Sequence, residues 1–217
     1  MCSVLVDSRD AEQLVGDLDV AESPVYAASP DVLTVVCGRP RLRDPIACFE
    51  RPELPAAREL LVGTDVRTVA VLEGIVNPTN MGVIARCAAG LGIDAMLIDP
   101  TCADPLYRRS VRVSMGEVFA VPHARIEPIP AGLEPLKEAD FEVVALSPAA
   151  WATDIDDVAR VPRDRMAILL GTEGDGLSEA ALGAATRCVR IPMGRGVDSI
   201  NVGSAAAVAF HTLRARH

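Results

Sequence analysis

Thr68-Val-Ala-Val-Leu72, then Glu73-Gly-Ile-Val-Asn-Pro-Thr79, then Asn80-Met-Gly-Val-Ile-Ala-Arg86: this stretch decides how the chain is read. Val69 to Leu72 is a short continuous apolar run, the mark of a strand buried on both faces. From Asn80 to Leu91 the apolar residues recur at helical spacing, and Gly92 stops the pattern. The same strand–loop–helix unit recurs downstream. Strands are expected at Ala95–Ile98, Val118–Val121, Val143–Leu146, Met166–Leu170 and Cys188–Ile191. Helices are expected within Tyr107–Met115, over Leu133–Ala139, over Glu179–Ala185 behind Ser178 as cap, and over Val202–Arg214. Strands alternating with helices predict an α/β fold with a mainly parallel sheet covered on both faces.

Residues 1–67 read differently. Short strands are expected at Val4–Val6, Val25–Ala27 and Ala47–Phe49, with helices at Ala11–Leu18 and Asp31–Val36. Pro and Arg punctuate the later part of this region, and a linker is expected around Arg51 to Gly63. The expected division is a small α/β module over 1–60 and a larger domain over 61–217. The chain opens almost directly on a strand, so the small module is expected to be incomplete at its start.

Composition narrows the function. Half of the 217 residues are apolar, yet no run approaches the roughly 18 uninterrupted apolar residues that cross a bilayer. The first residues carry neither a basic head nor a long apolar stretch, so they do not read as a secretory signal. The six cysteines are scattered without a C-x-x-C pair, which favours reduced thiols, a cytoplasmic protein and no metal site. A net charge of −9 argues against general basicity as a route to nucleic acid, since phosphate contacts need Lys or Arg. Lys137 is the one lysine, so any RNA surface must be a local arginine patch, with Arg39, Arg41, Arg43, Arg108, Arg109 and Arg112 as candidates.

Three segments carry polar groups at expected strand ends. In the first, Asn80 stands at a helix start where it can cap, Gly82 leaves the first turn bare, and Arg86 lies six residues on. For this segment alone, a capped surface helix with a solvated arginine is the better explanation. The second, Gly171-Thr-Glu-Gly-Asp-Gly176, comes after an apolar strand, at the end where α/β sheets bind ligands. It lacks the order of the dinucleotide fingerprint and the Gly-Lys of a P-loop, and taken alone it could be an ordinary acidic turn. In the third, Ile191-Pro-Met-Gly-Arg-Gly-Val-Asp-Ser-Ile-Asn201, Pro192 stops a strand and a looped stretch enters the last helix. Ser199 and Asn201 are both natural caps, which leaves one polar group to spare. Gly203, Ala205, Ala206 and Ala207 make the helix thin, so something must pack close to it.

In this order, over roughly residues 68–214, the three segments resemble the motifs of the SpoU/TrmH family of SPOUT RNA methyltransferases. Glu73-Gly74, Asn77-Pro78, Ser114-Met115-Gly116 and Pro122 are similar to the family as well. Residues 1–60 more loosely resemble the ribosomal-protein L30e-like substrate domain of ribosomal RNA members. The resemblance implies a C-terminal trefoil knot, a homodimer, and S-adenosylmethionine held near Leu146, Gly171, Ile191, Met193 and Ile200. It implies that Arg86, Asn80, Glu173, Ser199 and Asn201 serve transfer of a methyl group to a ribose 2′-hydroxyl, with ribosomal RNA as the expected substrate. Ile200 where the family more often has Leu, and Cys87 where it often has a small hydroxyl residue, are mild departures. A transfer RNA methyltransferase and a catalytically silent RNA-binding protein on the same fold remain the alternatives. Oxidoreductase chemistry fails on glycine order, and hydrolase chemistry on the absence of a G-x-S-x-G elbow.

Overall fold

The computed structural model describes residues 1–13, 23–38, 45–62, 65–161 and 163–214. The chain divides into two compact units, Met1–Glu53 and Leu54–His217. The division falls inside the expected linker and ahead of residue 60, because helix Ala57–Leu61 packs within the second unit, against helix Glu134–Glu138 and strand His123–Arg125.

The first unit holds β1 (Ser3–Asp7), β2 (Val25–Ala28), α1 (Pro30–Cys37) and β3 (Ile46–Cys48). Its sheet runs β2-β1-β3, with β2 parallel and β3 antiparallel to β1. Among the described residues, Val4, Val6, Leu33 and Cys37 are its buried apolar side chains. Most of the helix expected over 11–18, and Arg39, Arg41 and Arg43, lie outside the described residues.

The second unit begins with α2 (Ala57–Leu61) and β4 (Thr68–Leu72), followed by α3 (Pro78–Gly90), β5 (Ala95–Ile98), α4 (Arg108–Val113) and β6 (His123–Arg125). It continues through α5 (Glu134–Glu138), β7 (Glu142–Leu146), β8 (Thr153–Asp154), α6 (Ile155–Ala159) and β9 (Met166–Leu170). It closes with α7 (Glu179–Ala184), β10 (Arg187–Arg190) and α8 (Val202–Leu213). The seven strands are ordered β6-β5-β4-β9-β7-β10-β8, and every neighbouring pair is parallel. Because side chains alternate across a strand, each strand feeds two cores. Ala70, Leu72, Ile168 and Leu170 face one side, with Met81, Ile84 and Ala88 of α3 and Ala206, Ala209 and Phe210 of α8. Val69, Val71, Ala167 and Leu169 face the other, with Leu61, Leu136 and Ala181. The unbroken apolar runs of β4 and β9 are therefore buried on both faces, as such runs are in parallel sheets.

Some elements depart from expectation. Residues 118–121 are not a strand: Gly116 turns in the left-handed region and Glu117–Phe119 forms a 3-10 turn. The strand comes after Pro122, whose carbonyl accepts from Met96 N–H at 2.9 Å and starts the β5–β6 ladder. β8 and α6, short and rich in acids, were not expected at all. Cys102 is buried, its sulfur accepting from Ile75 N–H at 3.1 Å and donating to the Leu72 carbonyl at 3.3 Å, and burial pushes its thiol up to about 12.

The thin last helix lies against α3. A Cβ placed on Gly203 would meet Val83 Cγ1 at 2.6 Å. On its other flank α3 receives α4, and a Cβ on Gly82 would sit 2.6 Å from the Ser110 carbonyl oxygen. We expect Gly203→Ala to cost about 1–3 kcal/mol by overpacking. Adding Val83→Ala should recover part of that loss, as read from urea unfolding midpoints at unchanged slope. Simple additivity of the two substitutions would contradict this contact.

Candidate active site

A cavity of about 360 Å³ opens at the carboxyl ends of β7, β9 and β10, adjacent strands of the sheet. Its size lies within the range of about 300–1,000 Å³ found for small-molecule sites. The walls come from Leu146 at the end of β7 with Ser147 and Pro148 after it, from Leu170 at the end of β9 with Gly171 to Gly174 and Gly176 after it, and from Ile191 and Met193 after β10. Asp198 to Val202 and Ala205 close it from the start of α8. Leu146, Gly171, Ile191, Met193 and Ile200 thus all line one cavity, and Glu173, Ser199 and Asn201 line it with them.

Asn201 ties these segments together. Its Oδ1 accepts from Gly203 N–H at 2.9 Å, making it the cap of α8. That bond fixes which way the amide points, because only the oxygen can face an N–H donor. The amide nitrogen must then face the other way, where it donates to Asn80 Oδ1 at 3.1 Å and to Glu173 Oε1. One side chain therefore joins α3, the loop after β9 and the start of α8.

Asn80 is free for this bond because it is not the cap expected of it. α3 begins two residues earlier, at Pro78, and Asn77 is its cap, accepting from Thr79 N–H at 2.9 Å. Proline at the first helical position forgoes only an N–H that has no partner there. Asn80 lies inside the first turn, buried, with its amide turned to α8. Ser199 is the spare polar group: Asn201 caps, and Ser199 lines the cavity.

The loop after β9 closes on itself. Thr172 and Gly176 form an antiparallel bridge, and a Cβ on Gly171 would meet the Gly176 carbonyl carbon at 2.5 Å. Glycine at 171 is what lets the loop fold back so tightly. Gly171 and Glu173 then both line the cavity.

Arg86 is exposed on α3 and lies outside the cavity lining. Among the described residues it has no hydrogen-bond or ion-pair partner, so its guanidinium is available to a ligand. Cys87 beside it is half-buried, and burial raises its thiol despite the pull of Arg86. Arg108, Arg109 and Arg112 are exposed on α4, the helix packed on α3. Sequence reading missed Ser147, Pro148 and Asp198 as lining residues. The signal for the first two was their place directly after an apolar strand, where loops of α/β sheets build sites.

The model of the SpoU rRNA Methylase family matches residues 67–211, which include all three motifs. A Mycobacterium tuberculosis protein named an uncharacterized tRNA/rRNA methyltransferase is 46% identical over 206 residues, covering 94% of this chain and 70% of that protein. The crystal structure of the SpoU methyltransferase AviRb from Streptomyces viridochromogenes in complex with the cofactor AdoMet is 25% identical, with a TM-score of 0.77. That alignment covers 97% of this chain and 81% of AviRb. A solved RNA 2′-O ribose methyltransferase is also 25% identical, with a TM-score of 0.72 over 98% of this chain and 80% of its own. With two motifs walling one cavity, the first tied to them by the Asn80–Asn201 bond, and the family match spanning all three, the chain belongs to the SpoU rRNA Methylase family.

Proposed function

We propose that this chain is an S-adenosylmethionine-dependent methyltransferase acting on a ribose 2′-hydroxyl of RNA, with ribosomal RNA as substrate. The observation that carries this reading is the Asn201 amide, which joins Asn80 and Glu173 beside the cavity. The family membership and the likeness to AviRb support the cofactor.

The cavity residues suit that cofactor. Leu146, Leu170, Ile191, Ile200 and Ala205 give apolar walls for a nucleoside, and the glycine loop presents bare backbone for its polar edges. Glu173 and Asp198 are the ionisable lining residues, and no Lys, Arg or His among the described residues lines the cavity. Carboxylates without competing cations favour a positively charged ligand. When bound, S-adenosylmethionine supplies a methyl group on a sulfonium centre.

The residues of the chain must then align a poor nucleophile and relieve it of its proton. Arg86 holds the RNA phosphate and polarises the 2′-oxygen. A guanidinium does not act as base, because it stays protonated in proteins. The hydroxyl proton therefore leaves to water or phosphate. Asn80 and Glu173 hold Asn201 in place, and Ser199 faces the ribose from the cavity wall.

The wider reading rests on the same family. The chain works in the cytoplasm as a homodimer, and its C-terminal segment forms a knot. Exposed Val76, Met115 and Phe119 offer apolar surface for a second copy to cover. The first unit serves as the L30e-like module that holds RNA. No helix among the described residues is long and apolar enough to cross a membrane.

Arg86→Ala should lower methyl transfer about a hundredfold or more. S-adenosylhomocysteine affinity, read by calorimetry, should stay within about twofold, because Arg86 lies outside the cavity. Equal loss of both would assign Arg86 to the cofactor. RNA affinity should fall steeply with salt, and Arg109→Ala or Arg112→Ala should each reduce the logarithmic salt slope by roughly one. A slope unchanged in both variants would remove α4 from the RNA surface. Transfer of labelled methyl groups to total RNA, then mapping of the product, separates ribosomal from transfer RNA and a 2′-oxygen from a base.

A further inference from the structure

Glu73 comes directly after β4 and makes three bonds to one loop. Its backbone N–H donates to the Leu170 carbonyl at 2.9 Å, extending the β4–β9 ladder by one residue. Its carboxylate accepts from Ser178 N–H at 2.9 Å through Oε2 and from the Ser178 hydroxyl at 2.7 Å through Oε1. Leu170 and Ser178 are the two ends of the glycine loop that walls the cavity, so a single residue fixes both. Ser178 in turn caps α7, its Oγ accepting from Ala181 N–H at 3.1 Å.

The contents of the loop make this more than a surface contact. Between the two fixed ends lie Gly171, Gly174 and Gly176, whose backbone lines the cavity, and Glu173, which holds Asn201. A glycine-rich loop with both ends held has few conformations left to lose when a ligand binds. With one end released, the ligand must bear the cost of ordering it. Glu73 touches neither the cavity nor the reacting atoms: it is not among the lining residues.

We infer that Glu73 is a positioning residue for the cofactor, setting the affinity of the cavity by closing the ring from Leu170 to Ser178. This role rests on the proposed cofactor being S-adenosylmethionine. Glu73→Ala should raise the KM for S-adenosylmethionine and the Kd for S-adenosylhomocysteine roughly tenfold. The rate on a fixed amount of total RNA at saturating S-adenosylmethionine should stay within about twofold, since the reacting groups are untouched. Glu73→Gln should recover most of the affinity, because an amide can still accept from Ser178 N–H and donate to its hydroxyl oxygen.

Calorimetry with S-adenosylhomocysteine on the wild-type protein comes first. No binding there sinks the cofactor reading itself. If the wild type binds, an unchanged KM in Glu73→Ala overturns the positioning role, as does a fall in saturated rate without a change in KM. Should Glu73→Ala fail to fold, Ser178→Ala carries the test. It removes one of the two carboxylate bonds together with the cap of α7 and should raise the KM about threefold, and an unchanged KM there overturns the inference equally.

Discussion

The candidate site depends on the orientation of one amide. Asn201 must point its oxygen at Gly203 N–H to start α8, and so must point its nitrogen at Asn80 and Glu173. An aspartate in its place could still cap the helix, but it would set a second carboxylate against Glu173 and lose both donors. A serine could cap but could not reach two acceptors at once. The cap of one helix and the junction of three segments are therefore the same residue, and asparagine satisfies both demands.

That junction requires helices at unusually short distances. α3 is flanked by α8 through Gly203 against Val83 and by α4 through Gly82 against the Ser110 carbonyl. Gly82 falls within the first motif and Gly203 two residues past the third, and both weaken their helices by roughly 0.5–1 kcal/mol relative to alanine. The cost is offset by what the close approach allows. Asn80 can meet Asn201 only if the first turns of α3 and α8 nearly touch. The arginines of α4 sit on a helix packed against the one that carries Arg86.

The strand pattern and the three motifs were legible in the sequence because each rests on local chemistry. Continuous apolar runs marked β4, β5, β7 and β9, and Ser178 capped α7 where a cap was expected. Where local signals competed, the reading slipped. Asn80 is the cap expected from the sequence, whereas Pro78 at the first helical position puts the cap at Asn77. Val118 to Val121 has a strand's composition, but Gly116 and Pro122 confine it to a turn. β8 is two residues long and exists only because β10 lies beside it, so no local pattern could announce it. The bonds of Glu73 to Ser178 span 105 positions and belong to the same class of features, invisible until the sheet is formed.

Strand order explains why a cavity forms where it does. β10 is separated from β4 by β7 and β9, yet α8, the next element after β10, packs on α3 beside β4. The segment 191–201 must therefore cross the carboxyl ends of β7 and β9. A chain crossing strand ends cannot pair with them, so it leaves space beneath it, walled by the loops after those strands. Pro192 removes an N–H that would otherwise need a partner along the crossing. Met193 and Ile200 remain 37% exposed each, apolar side chains beside a partly apolar cavity that a bound ligand would cover. The crossing thus does two things with one stretch of chain: it roofs the cavity and delivers Asn201 to Asn80 and Glu173.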